Sequence, residues 1–241
     1  MEIGQKISTY SKESIYDFDN LIILKQYTNR ILEKLKNSLQ LTSLELGIGH
    51  GYSTEIFEKN LENHTVLEGD KRIIEKYKEE HPNSTIDIVE TFFENYQSEK
   101  KFDFIIMGFI LEHVNNPQEI LTKYKNMLAK NGKIFVAVPN AEAMNRRIGH
   151  IAGLLPNLKE LSENDIGLGH KRYYDVKSLT EECRKAGLII RNIEGLFLKP
   201  LTTKQMLELK LSNEIIDAFC ELGKVYPELS LGLLVELEKE S

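Results

Sequence analysis

The chain has no basic excess. Lys and Arg number 31 against 37 Asp and Glu, a net charge of −6, and a dedicated nucleic-acid binder carries the opposite bias. Cysteine is scarce. Cys183 and Cys220 stand far apart in helix-like surroundings, with no C-x-x-C and no His/Cys cluster, so no zinc site or other metal centre is expected. No apolar run approaches the roughly 20 residues of a membrane span. The opening Met1-Glu2-Ile3-Gly4-Gln5-Lys6 lacks the apolar stretch of a secretory signal. A cytoplasmic location without membrane insertion is the expectation. Two nucleotide fingerprints are missing as well. There is no G-x-x-x-x-G-K-[ST] phosphate loop. The dinucleotide pattern G-x-G-x-x-G also fails, because Tyr52 occupies the third-glycine position. That disfavours a nicotinamide dehydrogenase.

What is present suits one α/β domain. The 241 residues are 41% hydrophobic and 28% charged, enough apolar content for a sizeable core under an ordinary charged surface. No repeat or low-complexity linker divides the chain. It is read as one unit over 1–241: an N-terminal arm and helix (1–39), a ligand-binding half (40–140), a lid or substrate insertion (141–175) and the C-terminal part of the sheet (176–241).

The organising stretch is Leu44-Glu45-Leu46-Gly47-Ile48-Gly49-His50-Gly51. Leu41, Leu44 and Leu46 supply an apolar strand. Gly47, Gly49 and Gly51 let the backbone bend sharply and approach a ligand closely. Ser53-Thr54-Glu55 opens a helix with Ile56, Phe57 and Leu61 on its apolar face, and its free N–H groups would face the turn. Glu45 would repel a phosphate and favour an ammonium group. The turn is therefore read as a cradle for a ligand that carries positive charge and no pyrophosphate.

Before that strand, residues 1–18, with Tyr10, Tyr16 and Phe18, read as an irregular arm. A helix from Asp19 to about Leu39 carries Leu21, Leu24, Tyr27, Ile31, Leu32 and Leu35 at helical spacing. Beyond the turn, Val66-Leu67 and Thr85–Val89 read as strands. Phe102–Met107 is a nearly continuous apolar strand, as for a central parallel strand buried on both faces. Gln118–Leu128 reads as an amphipathic helix ended by a glycine cap at Gly132, and Lys133–Val138 as the next strand. Ala141–Leu155 is helix-like, and residues 156–169 are loop-like. Asp175 reads as the N-cap of a helix stopped by Gly187. Leu188–Leu198 is a strand region interrupted at Glu194-Gly195. Gln205–Leu211 and Asn213–Leu222 read as helices, and Leu231–Leu237 as the last strand.

The run E-L-G-I-G-H-G resembles the first motif of the class I S-adenosylmethionine-dependent methyltransferases, [DE]-x-G-x-G-x-G, in their small-molecule, type 11/23-like branch. Phe102-Asp103-Phe104-Ile105-Ile106-Met107, then Leu111-Glu112-His113-Val114 and Pro117, then Gly132-Lys133-Ile134-Phe135-Val136-Ala137-Val138-Pro139-Asn140 also resemble that family, so the likeness covers about residues 40–140. It implies a Rossmann-like seven-stranded, mostly parallel sheet with an antiparallel last strand and helices on both faces. It implies S-adenosyl-L-methionine as cofactor, held by Glu45 and the three glycines.

Glu68 stands 21 residues after Gly47, close to the separation of about 20 at which an acidic side chain meets a ribose. Glu68 is preferred and Asp70 is read as a helix N-cap, although both qualify; Gly69 lies between them. The resemblance places Phe92 or Phe93 over the adenine, and Met107 and Gly108 near the methionine end. His113 and His170 are two candidates for a general base, each also readable as a loop-holding histidine.

Arg146, Arg147, Arg172 and Tyr173 belong to the segment that would overhang the sheet, and are expected to bind an acceptor bearing phosphate or carboxylate and hydroxyls. The N-P-P-[YF] run of adenine and amide N-methylation is missing, as is a Pro-Cys nucleophile for pyrimidine C5. The expected function is methyl transfer to oxygen or nitrogen of a small polar metabolite, such as a sugar or phosphate-bearing intermediate of surface-polysaccharide or natural-product synthesis. An RNA or protein methyltransferase with the same core, or a non-catalytic cofactor-binding partner subunit, remain alternatives. A homodimer is left open.

Overall fold

The computed structural model describes residues 15–35 and 41–240. The expected arm up to residue 14 and the expected helix end at residues 36–39 lie outside the described residues. Seven strands form one sheet in the order β3-β2-β1-β4-β5-β7-β6. They are β1 (Thr42–Leu46), β2 (Asn63–Glu68), β3 (Asp87–Glu90), β4 (Phe102–Gly108), β5 (Leu128–Pro139), β6 (Leu188–Gly195) and β7 (Gly232–Lys239). β7 runs antiparallel to both β5 and β6, and the pairings from β3 to β5 are parallel. This is the Rossmann-like sheet expected from the sequence.

Side-chain alternation with period two splits the core into two layers. Leu44, Leu46, Ile105, Met107, Ile134, Val136, Val138 and Val235 face one layer, with Ile120, Leu121 and Tyr124 of α4 (Pro117–Lys125) and Leu179 and Cys183 of α7 (Val176–Lys185). Phe104, Ile106, Phe135, Ala137 and Leu234 face the other. That layer holds Ile23, Tyr27, Ile31 and Leu35 of α1 (Asp17–Leu35), Phe57 of α2 (Tyr52–Asn60) and Cys220 of α9 (Asn213–Val225). Ile74 and Tyr77 of α3 (Lys71–Glu80) pack with Val66 and Ile48.

The buried face of α1 follows a four-residue ridge. Leu21, two residues from that ridge, is 55% exposed. The helix begins at Asp17, so Phe18 belongs to it rather than to an irregular arm. Arg30, 3% exposed, ties α1 to the far edge of the sheet. Its guanidinium donates to the carbonyls of Gly195 at 2.5 Å and Cys220 at 2.6 Å, with Glu194 at 3.9 Å.

Several boundaries differ from the sequence reading. α4 stops at Lys125, and β5 already begins at Leu128. Gly132 is not a helix cap. It lies inside β5, where an added Cβ would stand 2.9 Å from the Phe102 carbonyl oxygen, beside Asn131 at φ 64°. β6 includes Glu194 and ends at Gly195, and its irregularity is a register shift between Ile190 and Asn192. Only Met144–Ile151 (α5) of the expected 141–155 helix is helical, and the expected loop contains α6 (Glu163–Leu168). That short helix is held by a reciprocal cap between Ser162 and Asp165. Asp175 caps α7 through Ser178 N at 2.7 Å, as expected. α8 spans Thr203–Leu209.

Candidate active site

The carboxyl ends of β1, β2, β4 and β5 open into one cleft of about 1260 Å³, lined also by the start of α1, by α5 and α6, and by the residues before α8. In an open α/β sheet this is the edge at which ligands bind.

The glycine turn forms one wall. Gly47 (φ 83°), Gly49 (φ 55°) and Gly51 (φ 77°) all adopt the left-handed region, but for two different ends. A Cβ on Gly47 would meet Ile110 Cδ1 at 2.9 Å, and one on Gly51 would meet Tyr77 Cδ2 at 2.9 Å, whereas one on Gly49 would have nothing within 4 Å. Gly51 packs against the Tyr77 ring, whereas Gly47, beside the Ile110 methyl, and Gly49, beside open space, both line the cleft.

Glu68 ends β2 and is 8% exposed. Its carboxylate crosses to the turn, accepting from Ile48 N at 3.1 Å and from Asp70 N at 2.9 Å. Burial raises its pKa, and the N–H groups of Asp70, Ile48 and Gly69 oppose the rise. Asp70 caps α3, accepting from Arg72 N at 3.0 Å and pairing with the Arg72 guanidinium at 2.7 Å. Phe92 is 63% exposed on the cleft wall and lies against Gly69, where a Cβ would stand 2.8 Å from its ring. Phe93 is half-buried against the core, its carbonyl accepting from Tyr124 Oη at 3.0 Å. Gly108 lies under Tyr27, whose Oη would be 2.8 Å from a Cβ there.

Three expected ligand contacts are not in this wall, Gly51 being one of them. Glu45 is 1% exposed and outside the cleft lining; its Oε2 accepts from Thr54 Oγ1 at 2.9 Å and meets His64 Nε2 at 3.1 Å. The alternation that sends Leu44 and Leu46 to one layer sends Glu45 to the other, beneath the turn. Met107 is fully buried in the same layer as Leu44, and only its neighbour Gly108 reaches the cleft.

The opposite wall brings His113 and His170 together, with ring centroids 4.7 Å apart and planes at 75°. Glu112, 0% exposed, joins them. Neither of its carboxylate oxygens has a hydrogen-bond partner among the described residues, and burial pushes the acid up to about 8. His170 Nδ1 stands 3.2 Å from Asp165 Oδ1. Burial alone would raise Asp165, but the nearby His170 ring and hydrogen bonds from Ser162 and Tyr173 outweigh it and hold the carboxyl well below its usual range. Tyr173 Oη donates to Asp165 Oδ2 at 2.6 Å.

The arginines do not form the expected anion site. Arg147 lies outside the lining and pairs with Glu142 at 2.6 Å. Arg172 also lies outside it, donating to the carbonyls of Leu111 at 2.8 Å, Val114 at 2.6 Å and Asn115 at 3.1 Å. Arg146 borders the cleft, but its donors go to the carbonyls of Ala141, Leu158 and Glu160, and its guanidinium sits 4.5 Å over the Tyr173 ring. These three side chains hold the overhanging segment in place.

Sequence reasoning missed Glu112, Asp165 and a buried triad in which Lys199 Nζ and Thr203 Oγ1 each lie 2.5 Å from Asp19 Oδ2. Asp19 Oδ1 and Asn145 Oδ1, both buried on residues that line the cleft, accept no hydrogen bond from the described residues. Ser162-x-x-Asp165 was a readable capping signal. Asp19 and Lys199 meet across 180 residues, a separation no local pattern encodes. Phe109 also enters the cleft with a left-handed φ of 59°, a strained conformation of the kind found at functional sites.

A family model described as a methyltransferase domain matches residues 21–192. The chain is 24% identical over 132 residues to the 235L protein of Invertebrate iridescent virus 6, whose name describes a methyltransferase. That match takes in 54% of this chain and 46% of the relative, so the chain spans about half the length of the curated relative it matches. Among solved structures it is similar to an S-adenosylmethionine-dependent methyltransferase from Mesorhizobium loti, with TM-score 0.61, 13% identity, and 88% and 98% of the two chains covered. It is also similar to the N-methyltransferase NodS from Bradyrhizobium japonicum, solved with S-adenosyl-L-homocysteine, with TM-score 0.56, 12% identity, and 90% and 87% covered. At these identities the structural likeness concerns the fold. No helix among the described residues is long and apolar enough to cross a membrane.

Proposed function

The chain belongs to the S-adenosylmethionine-dependent methyltransferase family, and on that premise we propose that it transfers a methyl group from S-adenosylmethionine to an oxygen or nitrogen of a small polar metabolite. The observation that carries the reading is the pairing of Gly49, with open space beside its backbone, and the buried Glu68 carboxylate on one wall of a large cleft. The cradle fits the cofactor. Glu68 would accept the ribose hydroxyls, Phe92 or Phe93 would cover the adenine, and Gly108 would border the methionine end. When bound, S-adenosylmethionine supplies an electrophilic methyl on a sulfonium.

The remaining work falls to the chain: aligning the acceptor and excluding water. Ile15, Tyr16, α5 and α6 border the cleft from outside the sheet. Asp19 Oδ1 and Asn145 Oδ1 receive no donor from the described residues, which favours an acceptor bearing hydroxyl or amine groups. A sugar of surface-polysaccharide or natural-product synthesis fits that description. Because Arg146, Arg147 and Arg172 are engaged elsewhere, no phosphate is assigned to them. With no cation on them, His113 or His170 would take up a proton leaving the acceptor.

The test is transfer of labelled methyl from S-adenosylmethionine into fractionated cell extract. Label in the polar small-molecule fraction is expected. Label confined to RNA or protein, or none in any fraction, would overturn the reading.

A further inference from the structure

Glu112 and His113 follow β4, and His170 precedes α7, far away in sequence. Four hydrogen bonds to backbone carbonyls lock the two segments together. Lys171 N donates to the Glu112 carbonyl at 2.8 Å, and Arg172 donates to the carbonyls of Leu111, Val114 and Asn115. The outcome is that one carboxylate and two imidazoles converge, with a donor atom from each lying within 4.8 Å of the others. All three residues line the cleft. The carboxylate is fully buried, yet neither oxygen is hydrogen-bonded within the described chain. A buried polar group in that condition calls for a partner the protein does not supply.

We propose that Glu112, His113 and His170 bind one divalent first-row transition-metal cation on the acceptor wall of the cleft. Two nitrogen donors and one oxygen donor suit zinc, iron or cobalt better than magnesium or calcium. A cation about 2.1 Å from each donor brings donors to within about 4.2 Å of one another, so small side-chain rotations close the site. Asp165 stands 3.2 Å behind His170 Nδ1. His170 Nδ1 makes no hydrogen bond among the described residues, and a small ring rotation would bring it onto Asp165, the place of the carboxylate that usually orients a metal-bound imidazole, with Nε2 then left for the metal. Asp165 is itself fixed by Ser162 and Tyr173. Three protein ligands on one side leave the cleft side of the cation for water or an acceptor oxygen. That use, holding the acceptor in place, rests on the methyl-transfer reading; the binding of the cation does not.

The test uses the full chain, stripped with chelator and titrated with Co²⁺ and Zn²⁺. The wild type should take up about one equivalent. The Co²⁺ form should show visible ligand-field absorption and paramagnetically shifted ring resonances from His113 and His170. Glu112→Gln and His170→Gln should each weaken uptake at least about tenfold, while binding of S-adenosylhomocysteine persists in both. No stoichiometric uptake by wild type overturns the proposal, as does a Co²⁺ spectrum without histidine shifts or uptake unchanged in both variants. The wild-type spectrum does not depend on any variant folding. S-adenosylhomocysteine binding without metal uptake removes the metal site alone; metal uptake without that binding removes the methyl-donor reading alone.

Discussion

Glu68→Gln removes the charge that the ribose reading depends on and keeps the shape. In the wild type each carboxylate oxygen takes one backbone N–H, from Ile48 and from Asp70, and each retains capacity for a ligand hydroxyl. A carboxamide has one acceptor oxygen, so its NH₂ must face one of those N–H donors. A hydrogen bond to a charged group contributes about 1.5–3 kcal/mol and a neutral one about 0.5–1.5. Across two ribose hydroxyls the substitution should cost about 2–3 kcal/mol, or about 30- to 150-fold in affinity at about 1.4 kcal/mol per decade. Calorimetric titration with S-adenosylhomocysteine measures it, with a thermal melt of the same samples to show that the fold is retained. A folded variant that binds within about threefold of wild type would refute Glu68 as the ribose residue.

The same carboxyl gives a pH dependence. Its pKa in the folded chain is raised by burial, and ribose hydroxyls donate to the ionised form. Affinity should therefore be full above the raised pKa and fall as the solution is acidified towards the ordinary carboxylate value of about 4.3, while the Glu68→Gln profile stays flat. Arg30→Ala leaves the carbonyls of Gly195 and Cys220 buried without their donor, while Glu194 keeps Lys34 at 3.3 Å; two buried acceptors left unpaired should cost about 2–6 kcal/mol, read in urea unfolding. Gly51→Ala combines a left-handed φ with a contact to Tyr77 and should lower stability by about 1–3 kcal/mol, read as a fall in melting temperature.

The sequence displayed the parts of this architecture that are local. The β1–turn–α2 unit and the Asp70 and Asp175 caps follow from apolar alternation, glycine placement and capping chemistry; the antiparallel last strand is what the family resemblance implies. Glu45 and Met107 were misdirected because a strand buried on both faces shows no polar side. Its parity had to come from Leu44 and Leu46, whose layer Met107 shares and Glu45 does not. Gly132 carried the mark of a helix cap, but its cause is the approach of the Phe102 carbonyl, a tertiary contact. The arginines carried a true chemical signal with the wrong partner. Carbonyls satisfy a guanidinium as phosphates do, and the carbonyls that Arg172 meets lie 57 to 61 residues away.

The central claim is that this cleft holds S-adenosylmethionine, and calorimetry of the wild-type chain with S-adenosylhomocysteine tests it most directly. The account predicts one saturable site of roughly micromolar Kd, displaced by S-adenosylmethionine. Absence of binding up to about millimolar ligand would contradict it and leave the glycine turn as a packing device alone.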